Sequence, residues 1–263
     1  MKFSIITPSY NQGRFVRDCI ESVKAQTGVA WEHIVQDAGS TDETLAVLKE
    51  YPHLQVTCEK DKGMSDGINR GFRKATGDWV MWLNTDDYLL PGALARVAAF
   101  AEKNPAADFI YGDTQFVDAN GKLLREKREH EFDFNVLLFY GCYIQSTATF
   151  LRRKIIQAGH LLDVEYRVVM DFEYYVRLAR LGYRIQYAPG ALAAFRWHET
   201  NTSAVQFQRR YEERLRVQRQ HLQLTGDTFH QREWVLKLLF RTYQLKRVPL
   251  KLAARLRASR GSA

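Results

Sequence analysis

The sequence predicts an α/β fold: a doubly wound, mostly parallel twisted sheet with flanking helices, followed by a helical, basic C-terminal extension. Three observations predict it. Short apolar runs alternate with stretches of helical spacing over residues 3–112, as in parallel strands joined by right-handed crossover helices. Several runs end in acidic or hydroxyl-bearing residues, at the strand ends where open α/β sheets bind ligands. Charge is segregated as well. Residues 232–260 hold nine Lys or Arg and one acid, Glu233, a balance of +8 that equals the net charge of the 263-residue chain, so residues 1–231 are neutral.

The elements follow in order. Phe3-Ser4-Ile5-Ile6-Thr7 is the first strand, and residues 15–26 are a helix with Val16, Cys19, Ile20 and Val23 on one face. His33-Ile34-Val35-Gln36-Asp37 is the second strand; Thr41 or Asp42 caps the next helix, which carries Leu45, Val47 and Leu48. Leu54-Gln55-Val56-Thr57-Cys58 is the third strand, and residues 64–75 are a helix despite two glycines. The run Trp79-Val80-Met81 leads into Trp82-Leu83-Asn84-Thr85-Asp86-Asp87, a buried strand that ends in two adjacent carboxylates. A helix over 92–103 and a strand at 109–112 continue the alternation. Beyond it the pattern loosens: a hairpin of 114–117 with 122–127 around Asp118-Ala119-Asn120-Gly121, a strand at 147–152, a helix at 172–181 and a strand at 191–197. From residue 205 the chain reads as charged helix, broken at Thr225-Gly226-Asp227 and interrupted again at Pro249.

With 46% hydrophobic residues, the chain suits one large domain or a domain with an appendage. Cys19, Cys58 and Cys142 are an odd, scattered set without a CxxC pair, which disfavours a disulfide framework or zinc site and suits reduced thiols in the cytoplasm. Met1-Lys2 leads directly into a strand, so no secretory leader is expected. No run of about 18 apolar residues suggests a membrane span.

Two adjacent carboxylates repel unless positive charge lies beside them. A hard divalent cation that itself holds phosphates answers this at Asp86-Asp87; a turn or helix cap is the other reading. Thr7, Ser9 and Tyr10 offer hydroxyls and a ring to a nucleoside, or form a turn set by Pro8 and Asn11-Gln12-Gly13. Asp37 accepts hydrogen bonds from a base or ribose, or caps its own turn. Asp66 and Asn69 share a helix face, and Lys62 is placed to meet phosphate or solvent.

The segments Thr7-Pro8-Ser9-Tyr10-Asn11, Asp37-Ala38-Gly39-Ser40-Thr41-Asp42 and Asn84-Thr85-Asp86-Asp87 close the first, second and fourth strands. In this order and spacing they resemble glycosyltransferase family 2 on the nucleotide-diphospho-sugar transferase (GT-A) fold, over about residues 2–200. The resemblance implies inverting transfer of a sugar from a nucleotide donor to an acceptor hydroxyl, with Mn²⁺ or Mg²⁺. It assigns Asp87 as the metal ligand and Asp86 as a contact to ribose or metal-bound water. His198, after Phe195-Arg196-Trp197, becomes a third ligand that favours Mn²⁺, with Arg196 available to phosphate. Asp171 matches the catalytic base, with Met170 where many members carry Glu, an N-cap as the other role, and Glu173 as a rival. Gln145, Ser146 and Thr147 match a loop that borders the acceptor. Ala38 departs from the pattern, standing where many members have the acid associated with uracil, and leaves the donor nucleotide open. Residues 1–204 form the catalytic domain on this reading, divided into nucleotide-sugar (1–112) and acceptor (113–204) halves, with 205–263 as the extension.

In the extension Trp234, Leu238, Phe240 and Tyr243 are interleaved with Lys237, Arg241, Lys246 and Arg247. Such a helix suits the anionic cytoplasmic face of an inner membrane, packing on the catalytic domain, or a second copy of the chain. The membrane reading makes a lipid-linked saccharide of a bacterial surface-polysaccharide pathway the acceptor. A sugar-nucleotide pyrophosphorylase would show a Gly-rich, Arg/Lys-bearing loop near the N-terminus in place of residues 7–11. A nucleic-acid partner does not account for a neutral body with acids at its strand ends. A sugar-nucleotide-binding protein without transfer activity is the remaining alternative.

Overall fold

A computed structural model describes residues 1–199, 201 and 206–260, with side chains described for all of these except 255 and 257–260. The expected boundary between residues 204 and 205 lies outside the described residues. Strands β1 (Lys2–Ser9), β2 (Ala30–Asp37), β3 (Leu54–Cys58) and β4 (Trp79–Trp82) alternate with helices α1 (Gly13–Lys24), α2 (Thr44–Lys49) and α3 (Met64–Lys74). There follow β5 (Tyr88–Leu89), α4 (Ala93–Lys103), β6 (Phe109–Val117), β7 (Leu123–Lys127), a π-helical turn (Val136–Tyr140) and a 3₁₀ turn (Ser146–Ala148). The chain continues through β8 (Thr149–Arg152), α5 (Arg153–Gln157), α6 (Met170–Arg180) and β9 (Ile185–Arg196) to α7 (Phe207–Leu224) and α8 (Glu233–Arg260).

The strands form one sheet in the order β3-β2-β1-β4-β8-β6-β9-β5, with β7 beside β6. The first four are mutually parallel, β6 and β9 run the same way, and β8, β5 and β7 run against them. The second half is therefore mixed, in keeping with the looser pattern and the hairpin expected there. The hairpin strand expected at 114–117 is the continuation of β6, and β9 is longer than 191–197, with a register shift against β6 near Gly112 and Asp113.

The sheet has apolar layers on both faces because its strands alternate with period two. Phe3, Ile5, Trp79, Met81 and Ile110 pack in the layer with α1 and α4, while Ile6, Val80, Trp82, Phe109 and Tyr111 pack in the layer with α3 and α6. Near-continuous apolar strands are what a sheet covered on both sides requires. The two glycines of α3 have a steric reason. A Cβ on Gly71 would lie 2.4 Å from Ile6 Cγ2, and one on Gly67 2.8 Å from an Asp61 carboxylate oxygen. Helix propensity gives way to close packing of α3 on β1.

Candidate active site

Backbone register sets the floor of the site. Ser9 pairs with Asp37 in the β1–β2 ladder and Ile6 with Trp82 in β1–β4, which brings the three strand-end motifs to one edge of the sheet. A cavity of about 570 Å³ opens there. Pro8, Asn84, Thr85 and Asp86 line it from the strand ends, Gln145 and Ser146 from the 3₁₀ turn, Met170 and Asp171 from α6, and Trp197, His198 and Asn201 from beyond β9. The extension contributes Arg210 and Arg214 of α7 and Phe240 of α8.

The two acids at the end of β4 have opposite environments. Asp87 is fully buried; Thr147 Oγ1 donates to one oxygen at 2.6 Å and the Arg196 backbone N–H to the other at 2.9 Å. Burial, and then the neighbouring Asp86 charge, raise its pKa well above the usual carboxylate range. Both Asp87 oxygens accept from protein donors and the residue does not line the cavity, while the resemblance implies it as the metal ligand. Asp86 is the member that faces the cavity. Its Oδ2 lies 2.9 Å from His198 Nε2, and Asn201 Nδ2 donates to it at 3.4 Å. The His198 ring stacks on Phe15 with centroids 4.9 Å apart, and its backbone N–H donates to Asn201 Oδ1 at 2.7 Å. Arg196 is not among the residues that line the cavity. Its guanidinium donates to the Asp86 and Ala119 carbonyls and to Asp18, so it holds the backbone of the acid pair and leaves phosphate to other groups.

A cation at this point would find the Asp86 carboxylate and the His198 imidazole, and Asn84 of the same cavity has a buried amide oxygen without a hydrogen-bond partner. No group of three His, Cys, Asp or Glu that could hold a metal occurs among the described residues. One carboxylate, one imidazole and one amide oxygen fit a divalent cation that takes its other ligands from phosphates and water.

Asp171 sits in the first turn of α6, with Val169 at the N-cap position. Phe172 N–H donates to its Oδ1 at 2.7 Å, and the Cys142 thiol lies 3.7 Å from Oδ2. Burial raises its pKa above the usual carboxylate range, and the side chain still borders the cavity. The rival Glu173 is occupied by Arg177, whose Nε and Nη2 donate to its two oxygens at 2.7 and 3.0 Å. Met170, in the position where the resemblance has an acid, accepts a contact from Ser65 Oγ at 2.9 Å.

The remaining expected contacts lie off the cavity wall. Thr7 Oγ1 is buried against His33 Nε2 at 2.8 Å, where burial pushes the His33 pKa down to about 3. Asp37 accepts from the Gly39 and Ser40 N–H groups and from Ser40 Oγ, the turn-capping alternative. Ser9 Oγ is buried without a partner, and the Tyr10 ring is exposed. Asp66 accepts from Lys62 N–H and Arg70, while Lys62 is exposed and its carbonyl is held by Arg167. Asn69 clamps the Leu162 backbone with both amide atoms. These side chains stitch the loops: Asn11 N–H donates to Ser40 Oγ, Gln12 N–H to Thr44 Oγ1 and Gly13 N–H to Asp42.

Sequence reading missed Asn84, Asn201, Arg167, Arg210 and Arg214 on the cavity wall. The signal for the last two was their like-charge i, i+4 spacing in α7, unfavourable on an isolated helix.

A mostly parallel sheet with this carboxylate–imidazole pair and a second carboxylate at its carboxyl edge defines an α/β enzyme of the GT-A kind. Glycosyl transferase family 2 matches residues 4–160, and the chain belongs to that family and is a glycosyltransferase. It is 34% identical over 181 residues to a PGL/p-HBAD biosynthesis glycosyltransferase of Mycobacterium bovis, covering 66% of this chain and 68% of the relative. The uncharacterized glycosyltransferase YwdF of Bacillus subtilis is 29% identical, with 73% and 72% covered. Among solved structures, residues 1–349 of S. aureus TarS in complex with UDP-GlcNAc superpose with a TM-score of 0.68 at 19% identity, over 93% of this chain and 72% of that one. In another crystal structure of S. aureus TarS the match covers 40% of that chain. The mannosyltransferase PcManGT of Pyrobaculum calidifontis, in complex with GDP-Man and Mn²⁺, has a TM-score of 0.66 at 16% identity, with 98% and 74% covered.

Proposed function

We propose that the protein is an inverting glycosyltransferase that moves a sugar from a nucleoside-diphosphate donor to an acceptor hydroxyl, using a divalent cation held at Asp86 and His198. The observation that carries this reading is the presence in one cavity of the Asp86–His198 pair, 2.9 Å apart, and the half-buried Asp171 carboxylate. Asp86 and His198 would hold the cation, which would supply positive charge toward the diphosphate leaving group. Asp171 takes the proton of the acceptor hydroxyl while that oxygen bonds to the anomeric carbon and the bond to the donor phosphate breaks. A carboxylate whose pKa is raised by burial is a better base at neutral pH than an ordinary one. Asp87, through Thr147 and Arg196, positions Asp86. Tyr10, exposed at the end of β1, is the candidate platform for the nucleobase. The solved neighbours were captured with UDP-GlcNAc and with GDP-Man and Mn²⁺, which supports a nucleotide-sugar donor and leaves its base open.

The acceptor we propose is a lipid-linked saccharide reached at an anionic membrane surface. One face of α8 packs on the π-helical turn through the ring pairs Phe139–Tyr243 and Tyr140–Phe240. The opposite face leaves Trp234, Leu238, Leu245, Val248 and Leu252 exposed beside Lys237, Arg241 and Lys251. Among the described residues no helix is long and apolar enough to cross a membrane, so any such contact is interfacial.

Calorimetry with UDP, GDP, dTDP and CDP, each with and without Mn²⁺, tests the donor half. Metal-dependent binding of one nucleotide is expected, retained in Asp171→Asn while transfer falls by about 10²–10⁴-fold. Wild-type transfer by Asp171→Asn would remove the base assignment.

A further inference from the structure

A second groove, also of about 570 Å³, runs between α7 and α8. Leu215, Trp234, Leu236 and Leu238 line it, and it shares Arg214 and Phe240 with the catalytic cavity. One guanidinium and one aromatic ring thus border both spaces. Arg214 lies on the acceptor side. Its Nη1 would be 3.9 Å from a Cβ on Gly141, the neighbour of Cys142, whose thiol meets Asp171.

The charge at this junction is uncompensated. Arg214 donates to the Phe139 carbonyl at 3.4 Å and stacks over Phe240 with the guanidinium 4.7 Å from the ring centroid. Its Nε is buried with no partner. Arg210, one turn earlier, stacks over Phe207. Among the described residues neither makes an ion pair with a carboxylate; Glu213 between them serves Arg209 and the backbone of residues 167–169. Arg214 is half-buried, a costly place for a cation unless a ligand supplies the anion, whereas Arg210 is exposed beside it.

We propose that the groove holds the hydrocarbon chain of the acceptor, that Arg214 and Arg210 hold a phosphate at the junction of chain and saccharide, and that the saccharide hydroxyl lies toward Asp171. The inference rests on the transfer reading above and specifies its acceptor as an anionic amphiphile. The donor diphosphate is the other phosphate that could reach these arginines, and competition separates the two.

The test is calorimetry on the full chain with hexyl, octyl and decyl phosphate below their micelle concentrations, and with decyl glucoside and inorganic phosphate as controls. Affinity is expected to rise about two- to fourfold per added methylene and to exceed that of both controls. Arg214→Gln is expected to lose at least about tenfold. Leu238→Glu, at an exposed groove position that folding does not depend on, is expected to flatten the chain-length dependence. Bound decyl phosphate should survive saturation with UDP and Mn²⁺. Affinity independent of chain length, indifference to both substitutions, or displacement by UDP would overturn the proposal. Nucleotide binding in the same cells reports separately on the transfer reading. Its absence beside intact, chain-length-dependent decyl phosphate binding would strike that reading and keep the groove as a site for anionic amphiphiles.

Discussion

Asp86 and Asp87 differ by one position and by nearly everything physical. The first faces an imidazole at the cavity wall; the second is sealed between a threonine hydroxyl and a backbone N–H. Asp86→Ala is therefore expected to abolish metal-dependent nucleotide binding while leaving the melting temperature nearly unchanged. Asp87→Ala strands two buried donors at about 1–3 kcal/mol each, which for a chain of this size lowers the melting temperature by roughly 4–12 °C. Scanning calorimetry and nucleotide titration of the two variants check this; equal loss of thermal stability would refute the division. Asp171 makes the pH prediction. Its proton is held more tightly than that of an ordinary carboxyl because burial disfavours the charge, and the base works only when deprotonated. The acid limb of kcat/KM should thus rise above the usual carboxylate range near pH 4, and Asp171→Asn should lack it.

At the scale of the element, α8 is fastened by one buried ion pair. Arg247 reaches Glu129, which is almost fully buried and also meets Lys127 at 3.3 Å, while Arg247 further contacts Tyr140 and the ring of His130. Removing Arg247 leaves the buried Glu129 with Lys127 alone, at a cost below the about 3–5 kcal/mol of a buried charge left without any partner. Arg247→Ala is expected to loosen α8, seen as preferential proteolysis after residue 232. The double change Arg247→Met with Glu129→Met should recover part of the loss, because Lys127 keeps its hydrogen bond to the Tyr143 carbonyl. Failure of the double variant to recover would assign the cost to packing. Pro249 was expected to interrupt this helix, yet α8 runs from Glu233 to Arg260 through it. The carbonyl it leaves without a donor belongs to Leu245, on the exposed face, where water can satisfy it.

For the whole molecule, charge segregation visible in the composition becomes geometry. A neutral body presents the acids of its site on one edge, and the basic helix covers part of that edge, carrying its exposed apolar stripe outward. Flotation with anionic liposomes should recover the protein at low salt and lose it near 1 M, where the screening length is only about 3 Å. Leu245→Glu with Leu252→Glu, both at exposed positions, should abolish flotation without changing nucleotide binding. Equal flotation of wild type and double variant would leave the membrane contact without support.

The sequence by itself determined the strands of the first half, the two-faced core, the family and the three segments that meet at the sheet edge. These are local: period-two alternation, helical spacing and turn chemistry are written in neighbouring residues. Which atoms of those segments face the cavity was decided only by tertiary structure. Asp37 and Asp87 are spent on backbone and hydroxyl donors, Asn69 on the Leu162 backbone, and Arg196 on the carbonyl behind Asp86. The same acid can cap, brace or bind, and its role follows from donors that approach from up to about a hundred residues away. The arginines of α7 reach the cavity for the same reason. Their charge was legible, but their place in the cavity that Asp171 also borders arises from packing of the extension over it.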